Sequence, residues 1–173
     1  MPKIRRGIGE IVLMGGAIGL GNVTPAAEFN IHVDPDAAAA VFTSGVKITM
    51  VGLDVTHKAI VTPDRLRAIE AIGTPVSDAV AGMLAFAAGR HRGRIGGMGS
   101  PLHDPCVIAY LLDAALFAGR EAHVAIETES ALNLGRTVVD WWGVTDNKPN
   151  ATVIDDIDAD GFFALLTERL ARL

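Results

Sequence analysis

Residues Ile8–Leu53 read IGEIVLMGGAIGLGNVTPAAEFNIHVDPDAAAAVFTSGVKITMVGL. Ile8–Met14 is an apolar, partly β-branched run that breaks at Gly15-Gly16, the pattern of a buried strand entering a loop. The loop from Gly15 to Val33 is long and rich in Gly, Asn, Thr and Pro, and long loops in compact domains usually carry function. Asp34-Pro35 then opens a helix, with Asp34 as its cap and Pro35 in its first turn. The alanines from Ala37 to Ala40 extend it, and Ser44-Gly45 ends it. Lys47–Leu53 is a second buried strand. Strand, helix, strand in that order predicts a parallel βαβ unit.

Working outward, Thr62-Pro63 and Thr74-Pro75 begin two more helices, ending near Gly73 and Gly89. Arg90–Ser100 reads as a basic, glycine-rich mobile surface loop. Asp104-Pro105 opens a helix to about Leu112. Ala122–Glu127, Arg136–Trp141 and Ala151–Ile154 read as strands. Asp158–Leu173 is a terminal helix that turns Phe162, Leu165, Leu166 and Leu170 toward the core. The expected fold is a single α/β domain over residues 1–173, with a mostly parallel open sheet flanked by helices. The first strand begins almost at once, and a parallel strand inside a sheet needs neighbours on both sides. An N-terminal part lying before this strand would account for that start.

The 173 residues are half apolar and one-fifth charged, long enough to bury a core without disulfides or structural metal. Fifteen basic residues against twenty acidic ones leave a net charge of −5, which argues against a general nucleic-acid binder. Cys106 is the single cysteine, so an internal disulfide is excluded. No apolar run approaches the roughly 18 residues of a membrane span; Ala79–Ala88 is too short. Lys3, Arg5 and Arg6 ahead of the apolar Ile8–Leu20 resemble a secretory leader in outline. Glu10 and four glycines interrupt that pattern, so a core strand and a cytoplasmic protein are expected.

Three clusters can carry chemistry. Asn22, Glu28 and Asn30 lie in the loop after the first strand, where open α/β sheets place ligands. Their mixture of donors and acceptors suits the vicinal hydroxyls of a sugar. Glu28 and Asn30 point the same way if the segment between them is extended. The alternative is that Asn22 serves a turn, Glu28 is solvated and Asn30 bonds nearby backbone. In the second cluster, His103-Asp104-Pro105, the carboxylate suits a hard cation and the imidazole a ligand hydroxyl or leaving group. The alternative there is a plain helix cap beside a solvated histidine. Third, Asp54, Thr56 and His57 follow the second strand, with hydrogen bonds that fix the strand-to-loop corner as the favoured reading. His91 is read as solvated, Cys106 as buried and inert, and Trp141-Trp142 as packing residues.

With those residues in hand, the chain resembles the inosine–uridine-preferring nucleoside hydrolases. The stretches that carry the resemblance are IVLMGGA, GNVTPAAEFNIHVDPDAAAAVF, ITMVGLDVTHKA and PLHDPCVIAYLL, in the family's order from Ile11 to Leu112. The resemblance implies hydrolysis of the N-glycosidic bond of purine or pyrimidine ribonucleosides, to ribose and free base. It places Met14, Asn22, Glu28 and Asn30 against the ribose, His103 near sugar and leaving base, and Asp104 on a catalytic calcium ion. It also implies homo-oligomers, and neither a nucleic-acid nor a membrane partner. The family's aspartate-rich D-x-D-P-G-x-D-D loop, which supplies most calcium ligands and the general base, is absent from these residues. The chain is therefore expected to correspond to the family's C-terminal portion and to be inactive or nearly so alone. An N-terminal complementing half would restore turnover. A non-catalytic ribose-binding module or interaction fragment is the alternative.

Overall fold

A computed structural model describes residues 6–90 and 99–173. Lys3, Arg5, His91 and most of the Arg90–Ser100 loop lie outside the described residues. The chain forms two compact units: Met1–Val55 with Phe117–Asp156, and Thr56–Leu116 with Ile157–Leu173.

The first unit is built on a five-stranded sheet. Its strands are β1 (Glu10–Met14), β2 (Lys47–Val51), β5 (Phe117–Ile126), β6 (Thr137–Asp140) and β7 (Ala151–Ile157), in the order β1-β2-β7-β5-β6. β1 and β2 pair in parallel from Glu10 opposite Lys47 to Met14 opposite Val51, and β2 pairs in parallel with β7. β5 and β6 form an antiparallel pair, so the sheet is mixed. The first crossover is the βαβ unit expected from sequence. It contains α2 (Pro35–Phe42), which Asp34 caps by accepting from the Ala37 amide at 2.9 Å. Phe42, at the end of α2, packs with Ile48, Met50, Val124 and Val153 of the sheet in one apolar core. At the start of the β1–β2 pair, Lys47 bonds Glu10 at 3.0 Å and holds its carboxyl below the usual carboxylate range.

Two short elements escape the sequence reading. Phe29–Val33 is a helix, α1, inside the stretch read as loop, and Leu53–Thr56 forms a further turn, α3. β5 also begins earlier than expected, at Phe117, and β7 runs on to Ile157. Trp141 packs against the core with Arg120 over its ring at 4.1 Å, whereas Trp142 is exposed.

In the second unit, α4 (Pro63–Glu70), α5 (Pro75–Arg90) and α7 (Ala159–Leu170) share a core that includes Ile69, Ala81, Leu84, Leu166 and Leu170. Phe163, passed over by the sequence reading, is buried on α7 against Phe162, with Arg65 over its ring at 4.3 Å. A two-stranded antiparallel pair, β3 (Ile60–Val61) with β4 (Ser100–Pro101), leads into α6 (Pro105–Leu112). Among the described residues no helix is long and apolar enough to cross a membrane.

Candidate functional site

β1 and β2 run in parallel, so the loops that leave them emerge at the same edge of the sheet. The backbone stitches those loops together: Gly15 N bonds Val51 O at 3.2 Å and Leu53 N bonds Gly16 O at 2.9 Å. Gly16 has φ +74°, and a Cβ there would lie 2.6 Å from the Thr137 methyl, so only glycine fits. Thr137, buried on β6, clamps the next residue. Its hydroxyl accepts from Ala17 N at 2.9 Å and donates to Ala17 O at 2.6 Å. Asp54 holds the following turn by accepting from the amides of Ile18 (2.6 Å) and Gly19 (3.2 Å). That is the corner-fixing role read for Asp54 from sequence.

Glu28 organises the rest of the loop. It is 3% exposed, which overturns the solvated alternative. Its Oε2 accepts from Gly16 N (3.0 Å), Asn30 N (2.9 Å) and Ile31 N (3.3 Å), and its Oε1 also accepts from Asn30 N at 2.9 Å. The carboxylate is thus the N-cap of α1, where unpaired amides and the helix dipole favour negative charge. The extended segment on which a shared direction of Glu28 and Asn30 depends is not formed, because Asn30 lies within the helix. Asn30 Nδ2 reaches back to Met14, at 3.2 Å from its carbonyl and 3.4 Å from its sulfur. Asn22 Oδ1 accepts from Phe29 N at 2.9 Å. Met14, Asn22, Glu28 and Asn30 therefore lie in one hydrogen-bonded stretch that runs from the end of β1 into α1.

This loop retains unused capacity. Asn22 Nδ2 and Asn30 Oδ1 make no hydrogen bond among the described residues, and both residues are exposed. An ionised carboxylate offers about four acceptor positions. Three donors meet Oε2 and one meets Oε1, so the buried carboxylate is used by the loop itself. At its exposed positions the loop thus presents a donor, on Asn22, and an acceptor, on Asn30, the pair a hydroxyl can answer.

His103 and Asp104 belong to the second unit. His103 Nδ1 lies 2.8 Å from the Thr56 hydroxyl, and the His57 ring meets the His103 ring edge-on with centroids 5.7 Å apart. Asp104 is not a plain helix cap. Its backbone is already helical (φ −60°, ψ −37°), and its exposed carboxylate makes no cap hydrogen bond. It is therefore available to a cation. Calcium takes six to eight oxygen ligands. Among the described residues no group of three or more His, Cys, Asp or Glu is placed to hold a metal ion. Asp104 can supply one ligand, but the described residues do not build a calcium site by themselves. Two residues on, Cys106 is buried and donates to Leu102 O at 3.1 Å; burial, with a smaller push from Asp104, raises its thiol pKa to about 12.

A polar loop at the carboxyl ends of parallel strands marks the ligand edge of an open α/β protein. Comparison with known proteins gives that class a family. Residues 1–164 match the family described as inosine-uridine preferring nucleoside hydrolase. The pyrimidine-specific ribonucleoside hydrolase RihA of Citrobacter koseri is 53% identical over 171 residues, 98% of this chain and 55% of that protein. RihA of Salmonella arizonae is 52% identical over 170 residues, with the same 98% and 55% shares. Among solved structures, the purine-preferring ribonucleoside hydrolase from Gardnerella vaginalis superimposes with a TM-score of 0.87 at 32% identity, over 99% of this chain and 54% of that one. The chain belongs to the inosine–uridine-preferring nucleoside hydrolase family. It spans about half the length of the curated relatives it matches.

Proposed function

We propose that this chain provides the ribose-recognition part of an N-ribohydrolase that cleaves ribonucleosides to ribose and free base, with pyrimidine ribonucleosides preferred. The pyrimidine preference rests on the RihA relatives, 52–53% identical, against 32% for the purine-preferring neighbour. One observation carries the sugar assignment. Asn22 bonds Phe29 N, Glu28 caps α1, and Asn30 reaches Met14, yet a donor on Asn22 and an acceptor on Asn30 stay unspent at exposed side chains. Each ribose hydroxyl both gives and accepts a hydrogen bond, so this set holds a diol where a single charge would not.

In the hydrolysis, water adds at C1′ while the bond from C1′ to the base nitrogen breaks, through a transition state with oxocarbenium character. Asn22, Glu28 and Asn30 orient the sugar, and the negative Glu28 favours developing positive charge on it. Met14 contributes its sulfur and carbonyl to the same loop. His103 serves the departing base as a hydrogen-bond donor. Calcium, when bound, would orient the diol and the water; Asp104 is the residue here that can contribute to holding it. A homo-oligomer, or a complementing N-terminal half, completes the proposal, and the cytoplasm is the proposed location.

The test measures equilibrium binding of uridine, cytidine, inosine and 2′-deoxyuridine to the purified chain. Uridine and cytidine should bind more tightly than inosine, and 2′-deoxyuridine should bind more weakly than uridine. Asn30→Ala should weaken uridine by roughly fivefold, the equivalent of one hydrogen bond of about 1 kcal/mol. Equal binding of uridine and its 2′-deoxy analogue would remove the sugar assignment. In a second arm, the chain is mixed with the part of RihA that it does not match, and uracil release is followed. No release from a folded mixture would count against the hydrolase reading.

A further inference from the structure

We infer that Thr137 is a positioning residue for sugar recognition: from β6 it fixes the Gly16-Ala17 corner against which the Asn30 side chain is aligned. The inference rests on the ribose reading given above. Thr137 is 3% exposed and spends its hydroxyl on one residue, accepting from Ala17 N at 2.9 Å and donating to Ala17 O at 2.6 Å. Ala17 is buried as well, so its peptide groups have no water to turn to if that hydroxyl is lost. The methyl group of Thr137 stands against the preceding residue: a Cβ on Gly16 would come within 2.6 Å of it. One side chain therefore holds two consecutive residues of the corner, by hydrogen bonds and by contact.

Both anchors of Asn30 start from this corner. Gly16 N donates to Glu28 Oε2 at 3.0 Å, and the same oxygen accepts from Asn30 N at 2.9 Å, so the backbone of Asn30 is one carboxylate away from Gly16. The Asn30 side chain is tied to Met14, two residues before Gly16, through Nδ2 at 3.2 Å from the Met14 carbonyl. A carbonyl only accepts, so the NH2 group faces Met14 and Oδ1 is the end left for a ligand hydroxyl. A shift of the corner moves the Glu28 carboxylate and Met14 together, and the amide plane of Asn30 turns with them. Hydrogen bonds weaken steeply with such misalignment. Thr137 makes no hydrogen bond to Asn30 among the described residues; it acts through Gly16, Ala17 and Glu28.

The experiment measures uridine and 2′-deoxyuridine binding by titration calorimetry to the purified chain, to Thr137→Val, Thr137→Ser and Asn30→Ala, and to the Thr137→Val/Asn30→Ala double variant, each confirmed as folded by circular dichroism. Thr137→Val should weaken uridine by roughly threefold to fivefold, no more than Asn30→Ala does, and should lower the preference for uridine over its 2′-deoxy analogue. Thr137→Ser keeps both bonds to Ala17 and should bind like the unaltered chain. In the Asn30→Ala background, Thr137→Val should change binding by less than about twofold, because the group it aligns is already gone. A threonine that serves folding alone would leave binding unchanged in the folded variant, or weaken it equally in both backgrounds, and either result overturns the inference. A second measurement needs no variant. Coupling is reciprocal, so bound uridine should slow amide hydrogen exchange at Gly16 and Ala17 more than at Ala37 of α2. Equal slowing, or none, overturns the inference even if Thr137→Val does not fold. Failure of the unaltered chain to bind uridine removes the sugar reading and this inference together, whereas binding that favours uridine over 2′-deoxyuridine but responds additively to the two substitutions removes this inference alone.

Discussion

Removing the Glu28 side chain should unpick the loop that ends β1. In Glu28→Ala, α1 loses its cap, a change worth about 1 kcal/mol in typical helices. Gly16 N, buried and bonded to Oε2 at 3.0 Å, loses its partner, at a cost on the order of 1–3 kcal/mol. α1 has five residues, far fewer than an isolated helix needs to persist in water. The amides of Asn30 and Ile31 would therefore be released with the cap rather than re-paired within a helix. The sum is about 3 kcal/mol, a large share of the roughly 5–15 kcal/mol that stabilises an ordinary domain. Glu28→Gln separates charge from shape. Its carbonyl oxygen can replace Oε2 and keep Gly16 N, while its NH2 group then faces Asn30 N, donor against donor. A cost of about 1–2 kcal/mol is expected from the lost charge-assisted bond. Urea unfolding of the three proteins, followed by circular dichroism and extrapolated to water, measures both values. The expected order is wild type, Gln, Ala, at unchanged m-value, with the Gly16 amide resonance moving most in Ala. If Glu28→Ala cost under about 0.5 kcal/mol, or Gln cost as much as Ala, the view of Glu28 as a charged cap joining two segments would be wrong.

Three further outcomes follow from the same geometry. Thr137→Val keeps the shape of the side chain but strands both Ala17 N and Ala17 O; destabilisation of about 2–3 kcal/mol is expected in the same unfolding assay, and a neutral result would discredit the clamp. Asp140 accepts from the Thr145 hydroxyl (2.6 Å) and from the amides of Thr145 and Val144 (2.8 Å each), which hold its carboxyl below the usual range. A depressed acid adds stability that is fully present above its unfolded pKa of about 3.9 and is lost as pH falls through the folded value. The Val144 and Thr145 amide resonances should therefore titrate with a midpoint below 3.9; a midpoint at or above that value would contradict the assignment. Cys106, fully buried, should react with a thiol reagent only as fast as the second unit opens, so rapid labelling of the native chain would refute its packing.

The sequence reading succeeds where local rules agree with tertiary needs. The EIVLM and KITMV runs are apolar enough to be buried, and Asp34-Pro35 caps the helix between them, so the parallel unit could be read before any contact was known. It fails where the determining partner is distant. β7 enters the sheet between β2 and β5, and no local pattern in Ala151–Ile157 specifies those neighbours. Thr137 reads as an ordinary strand threonine, although its hydroxyl serves a residue 120 positions earlier. α1 is missed for a chemical reason: its cap is a glutamate, whereas the usual N-cap residues are Ser, Thr, Asp and Asn.

One local rule fails at the start of α6. Four helices open on Asp-Pro or Thr-Pro. Asp34 accepts from Ala37 N, Thr62 from Arg65 N and Thr74 from Ser77 N, at 2.9, 3.3 and 3.2 Å. Asp104 has the same sequence signature but takes helical backbone angles and caps nothing. The start of α6 thus forgoes about 1 kcal/mol of capping that the other three secure. Breaks of this kind between local rule and observed structure are expected at functional sites. At the start of α6, the carboxylate of Asp104 is exposed and makes no cap hydrogen bond, and the neighbouring His103 lies 2.8 Å from the buried Thr56 hydroxyl.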